Sequence, residues 1–166
     1  MTDFKFANGP GAARSYWIAL VLTDDENTAA RIISSGIHGV ADSGAVFGGV
    51  AVAWGVGLVI EACVALRTDE LRKEEGSGEY WRAKAAEGST IELQRAPLST
   101  ARLRWALLPL PLFPRFVYAL RVLEGYSWSS VASMLNVDKE ACQAALAYSF
   151  GAFAPALMPV QLAKQQ

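Results

Sequence analysis

The chain has 166 residues, a formal net charge of -1 and 52% hydrophobic residues. That length suits one medium domain or two small ones, and the apolar content argues against a disordered chain. The balanced charge argues against a protein held to nucleic acid by bulk positive charge.

Cys63 and Cys142 lie far apart and show no CxxC spacing. No disulfide framework and no zinc site is expected from them, and two buried, reduced thiols in a cytoplasmic protein is the simpler reading. No cofactor motif and no metal-ligand spacing is present. The opening residues MTDFKFANGPG lack a basic stretch followed by an apolar run, so no secretory signal is expected.

In chain order, residues 1–11 read as a loose arm broken by Asn8, Gly9, Pro10 and Gly11. Residues 12–22 predict a helix, with Tyr16, Trp17, Ala19 and Leu20 on its apolar face. Thr23, Asp24, Asp25 and Glu26 form a turn whose side chains can cap the next helix, expected over residues 27–35 with Ala29, Ala30, Ile32 and Ile33 inward. Residues 36–49 are punctuated by glycine and hold His38, the one histidine, which has no partner at ligand spacing and reads as structural.

Residues 44–66, GAVFGGVAVAWGVGLVIEACVAL, carry no charge until Glu61. The run approaches the ~20 apolar residues that span a bilayer. Its glycines, its glutamate and the absence of a basic N-terminal flank favour a buried helix instead. Gly55 and Gly57 should each cost about 1 kcal/mol relative to alanine, which predicts a second helix packed close against them. Residues 66–73, LRTDELRK, read as the polar end of the same helix.

Residues 74–98 are charged, carry Gly76, Gly78 and Gly88, and read as a linker with a short helix near residues 80–86 and no site. A helix is expected over residues 99–108, where Arg102 and Arg104 are two apart and do not share a face. Pro109, Leu110 and Pro111 end it. Residues 115–123 predict the next helix, with Phe116, Val117, Leu120 and Leu123 inward, Pro114 in its first turn and Gly125 at its end. Ser127 can cap a further helix whose inner face is Val131, Ala132 and Leu135. Asn136 and Val137 make a short turn, and Asp138 can cap a last helix over residues 138–150 with Ala141, Cys142, Ala145, Leu146 and Ser149 inward. Pro155 and Pro159 should end regular helix. The expected fold is all-α: a helical lobe over residues 12–73, a linker over 74–98, a second lobe over 99–154 built on a helix-turn-helix, and a tail over 155–166.

The run Leu110-Pro111, Arg115, Val117, Leu120, Arg121, Glu124-Gly125, Ser127, Ala132, Leu135, Val137 and Leu146 resembles the promoter-reading C-terminal domain (region 4) of bacterial sigma factors, especially the extracytoplasmic-function class. Ala19 through Asp25, followed by Ala29 and Ala30, resembles the first helices of region 2, with LRTDELRK as the end of that region and Trp54 in its aromatic portion. The resemblance implies binding to RNA polymerase core, opening of the promoter by the first lobe and reading of an upstream promoter element by the second. It makes Ser127, Lys139, Glu140 and Gln143 the candidate base contacts, with Arg115 and Arg121 on the phosphate backbone.

A recognition helix places Arg, Lys, Asn or Gln against base edges and further cations on phosphates. The outward positions of the last helix are instead Lys139, Glu140, Gln143, Ala144, Ala147 and Tyr148, and no Lys or Arg follows Lys139 until Lys164. The alternative reading is therefore a divergent sigma-like fold that has lost DNA binding and works by protein contact. Its partner would be polymerase, a regulator protein or a second copy, anchored through Trp54, Trp105, Phe113, Phe116, Tyr126 or Trp128. A third reading is a membrane-associated helical protein built on residues 44–66. An enzyme is not expected, because no nucleophile–base pair, phosphate loop or catalytic carboxylate pair is present.

Overall fold

The structure, a computed structural model, describes residues 10–42, 48–74, 78–87 and 100–157. Among these residues it is all-helical, with eight α-helices, one π-helical turn and no strand. The chain divides into two compact units, Met1–Lys73 and Glu74–Gln166.

In the first unit, α1 spans Pro10–Thr23 and α2 spans Glu26–Asp42; α3 spans Gly48–Glu74, and its last residue, Glu74, is the first of the second unit. Proline and glycine were expected to keep residues 1–11 out of helix, yet α1 starts on Pro10. Its missing N–H is harmless in the first turn, where no intrahelical acceptor exists. The corner between α1 and α2 is built by local side chains. Thr23 donates its hydroxyl to the Ala19 carbonyl at 2.7 Å, Asp24 takes a positive φ of 56°, and the Asp25 carboxylate accepts from the Thr28 N–H at 2.8 Å. The Thr28 hydrogen bonds hold the Asp25 carboxyl below its ordinary pKa. With Asp25 as the cap, α2 begins at Glu26, and it runs on through Gly36 and Gly39. An isolated glycine costs a helix only about 1 kcal/mol, too little to end one that packs along α1.

Ile18, Ala19, Val21 and Leu22 of α1 and Ala29 and Ile33 of α2 are buried. On α3 the buried positions among the described side chains are Val56, Val59, Ile60, Cys63 and Leu71; Val59, Ile60 and Cys63 follow Val56 by three, four and seven residues, as one helical face requires. Arg67 fastens α3 to the corner by donating to the Thr23 carbonyl, an acceptor left over at the end of α1. The same guanidinium pairs with Glu70 at 2.7 Å. Glu61 is exposed. No described helix is long and apolar enough to cross a membrane. The side chains of His38 and Trp54 lie outside the described residues.

The second unit holds α4 (Gly78–Ala86), α5 (Thr100–Leu107), α6 (Leu112–Tyr118) with its π-helical continuation Ala119–Leu123, α7 (Trp128–Leu135) and α8 (Lys139–Leu157). α4, α6 and α7 all pack on α8, which makes α8 the centre of the unit. Phe113, Phe116, Leu120, Val131, Cys142 and Ala145 are shut off from solvent. The first part of the expected linker is thus helix α4, a packed element of the unit. The last helix also runs past Pro155. A proline there deprives only the Gly151 carbonyl of its donor, and Gly151 is exposed, so water can satisfy it.

Gly55 does not meet a closely packed helix as expected: a Cβ built there has nothing within 4 Å. Gly55→Ala should therefore stabilise the chain by about 1 kcal/mol, read as a higher midpoint of urea unfolding. A lower midpoint would show that α3 needs the glycine.

Candidate functional site

The α7–α8 pair is specified residue by residue. Ser127, extended at φ -64° and ψ 156°, accepts from the Ser130 N–H at 3.1 Å and so caps α7. Asn136 ends α7 in the left-handed region at φ 56° and ψ 46°. That turn lets the Val137 N–H reach the Ala132 carbonyl at 3.0 Å, the closure typical of a helix C-terminus. Asp138 then caps α8, accepting from the Ala141 N–H at 2.6 Å. Gly125, at φ 73°, turns the chain at the end of the π-helical segment and allows the Tyr126 N–H to reach Leu120 at 3.0 Å.

The two arginines expected on a phosphate backbone are engaged within the fold. Arg115 is only 9% exposed. Its Nη2 donates to the carbonyls of Leu108 at 2.7 Å and Leu110 at 3.0 Å, so it holds the proline turn after α5 against α6. The apolar pattern around residue 115 hides this, because an arginine in a helix reads as a solvated face until its carbonyl partners are known. Arg121 is half-buried, donates to the Tyr126 carbonyl at 3.0 Å and lies 5.1 Å from the Trp128 ring centroid. Glu74 meets the start of α6 by accepting from the Phe113 N–H at 3.2 Å, a carboxylate at the positive end of a helix.

Of the remaining sequence candidates, Ser127 is exposed and spent as a cap. Lys139, Glu140 and Gln143 are exposed on the first turns of α8, where helical spacing groups them. Phe113 and Phe116 are core residues, Tyr126 and Trp128 are half-buried, and Trp105 is 68% exposed. Tyr118 and Phe150 meet at a centroid distance of 5.9 Å, and Phe150 is exposed.

The outward face of α8 is not open along its length. Ala144 is buried and Tyr148 half-buried, although both were expected outside. The cause is α4. Trp81, 2% exposed, stacks on Phe113 at 5.9 Å and 27°, and meets Tyr148 at 5.4 Å and 56°. Gly78 is buried against the first turn of α8, where a Cβ would lie 3.4 Å from the Ala141 nitrogen. The stripe of Glu140, Ala144 and Tyr148 therefore runs under or beside α4. Sequence reasoning assigned no site to this stretch. The available signal was a tryptophan in a charged run, with Gly78 three residues before it and Ala85 four after, a small–aromatic–small face.

Burial raises both thiols, Cys63 and Cys142, to about 12. Among the described residues no three His, Cys, Asp or Glu side chains gather as a metal site. No protein-family model, no curated protein and no solved structure matches this chain.

Arg115→Met should lower stability by ~3 kcal/mol, since it strips two charge-assisted bonds, one from the buried Leu110 carbonyl and one from the partly buried Leu108 carbonyl. Urea unfolding checks this, and an unchanged midpoint would deny Arg115 its structural role. Both cysteines should resist iodoacetamide at pH 8 in the folded chain and react once it is unfolded, because only the thiolate attacks. Mass spectrometry reads the outcome.

Proposed function

We propose that this chain is a sigma-like helical protein, without catalytic activity, that works by contact with other proteins and does not read promoter DNA through α8. The observation that carries this reading is the packing of α4 on α8 through Trp81. It covers part of the face that would enter a major groove, and the uncovered part has Lys139 as the one cation in the helix. Arg115 and Arg121 are held by carbonyls of the fold. A phosphate clamp built from these groups would be short of charge, and charge on phosphate supplies most non-specific affinity. RNA polymerase core is the partner the resemblance implies, with a regulator protein or a second copy as the other candidates. Two buried cysteines that are not in a disulfide suit a reducing, cytoplasmic setting.

One observation favours the promoter-binding reading. The capped α7, the short left-handed turn and the exposed Lys139 and Gln143 on α8 are features that a helix-turn-helix would use, and they support that reading. Fluorescence anisotropy with a labelled duplex at low salt separates the two. The expected result is affinity weaker than ~0.1 mM, the weak edge of ordinary non-specific binding. Tighter, salt-dependent binding that is lost in Lys139→Ala and Gln143→Ala would make the chain a DNA reader. Retention on immobilised bacterial polymerase core, or self-association on sizing with light scattering, should accompany the absence of duplex binding.

A further inference from the structure

We infer that the end of α5 is a docking site for an acidic segment of a partner protein, with Arg104 taking a carboxylate and Trp105 the apolar residue beside it. The inference rests on the protein-contact reading above and names the site and the chemistry of the partner.

Arg104 differs from the other described arginines of its unit. Arg82, Arg115 and Arg121 each donate to a backbone carbonyl. Among the described residues nothing accepts from the Arg104 side chain, and its Nε is closed off from solvent without a hydrogen-bond partner. A buried donor without an acceptor is costly, and an anion brought by a partner relieves it. The residue as a whole is half-buried, so an incoming carboxylate can still reach the guanidinium. Attraction at such a place is less screened than in open water. An arginine in the last turn also suits the negative end of a helix, but a fully solvated side chain does that equally well and needs no enclosed Nε.

Trp105 is next in the chain and is 68% exposed, the most exposed large apolar side chain among the described residues. The Leu108 N–H reaches the Arg104 carbonyl at 3.0 Å and carries the helical turn past Leu107. Half-buried Leu108 and exposed Pro109 follow at the same end of the helix. Arg115 holds the carbonyls of Leu108 and Leu110. The surface is therefore fixed before a partner arrives, which lowers the ordering cost of binding. Tryptophan and arginine are the side chains that most often dominate contacts between proteins.

Charge selects the partner. From residue 93 to residue 123 the chain has no aspartate or glutamate, but it has Arg95, Arg102, Arg104, Arg115 and Arg121. Arg115 and Arg121 are spent on carbonyls, whereas α5 carries Arg102 and Arg104 and no acid. A carboxylate meets the guanidinium fork through two parallel hydrogen bonds. A nucleic-acid strand fits less well, because one tryptophan is a single stacking platform and the chain has a net charge of -1.

Fluorescence anisotropy on the full chain tests this with a labelled acidic peptide, SDEFDDLS, and its neutral counterpart, SNQFNNLS. The acidic peptide should bind, and the neutral one should bind about tenfold more weakly. Arg104→Gln and Trp105→Ala should each weaken capture of the acidic peptide by about tenfold. Arg72→Gln, which removes an exposed cation of the first unit, should leave it unchanged. No capture by the unaltered chain, or equal capture by Arg104→Gln, overturns the inference. Arg104→Met separates recognition from support of the fold. It should lose the peptide while its midpoint of urea unfolding stays or rises, because an unpaired buried N–H is removed. A lower midpoint would make Arg104 a structural residue and overturn the inference. A single-stranded oligonucleotide bound more tightly than the peptide, and released by Arg104→Gln, would overturn the acidic partner and the protein-contact reading together. Retention on polymerase core or self-association without peptide capture sinks the α5 site alone.

Discussion

Trp81 is the point on which the second unit turns. Its indole is enclosed by Phe113 of α6 and Tyr148 of α8, and it joins α4 to both helices. Burying a side chain of this size stabilises by roughly 3 kcal/mol, a large share of the stability of a small unit. The stacking geometry adds directionality, because ring pairs prefer offset or edge contacts to any arbitrary approach. Gly78 complements it. With no side chain there, the start of α4 sits against the backbone of α8, and the two helices stay close enough for the indole to reach.

The same economy governs the placement of charge. Arg67 in the first unit and Arg115 in the second each spend a guanidinium on carbonyls that chain geometry leaves without donors, at the end of α1 and after α5. Helix ends are short of hydrogen-bond partners, and arginine supplies several donors from one planar group. A cation used in this way is unavailable to a phosphate.

Local chemistry was legible where one residue settles one conformation. The caps at Ser127 and Asp138, the positive-φ turn at Gly125 and the inward face of Ala141, Cys142, Ala145 and Ser149 all follow from spacing and side-chain type. The apolar run ending near Leu66 and the polar LRTDELRK lie in one helix, α3, with LRTDELRK at its polar end. Boundaries were less legible. Pro10, Gly36 and Pro155 are breakers by composition, yet each lies in helix, because the cost of each is small at its position and packing or exposure offsets it.

The sequence by itself determined that this protein is helical, which residues of α7 and which of Ala141, Cys142, Ala145 and Ser149 on α8 turn inward, and how α7 hands over to α8, since all of these depend on neighbours within a few residues. Only the tertiary structure decided that Gly78–Ala86 is a packed helix, that Ala144 is buried, and that Arg115 is an internal strut. Each of those facts depends on a partner far away in the chain. No local pattern encodes that Trp81 meets Tyr148, because their encounter is set by the folding of every helix between them.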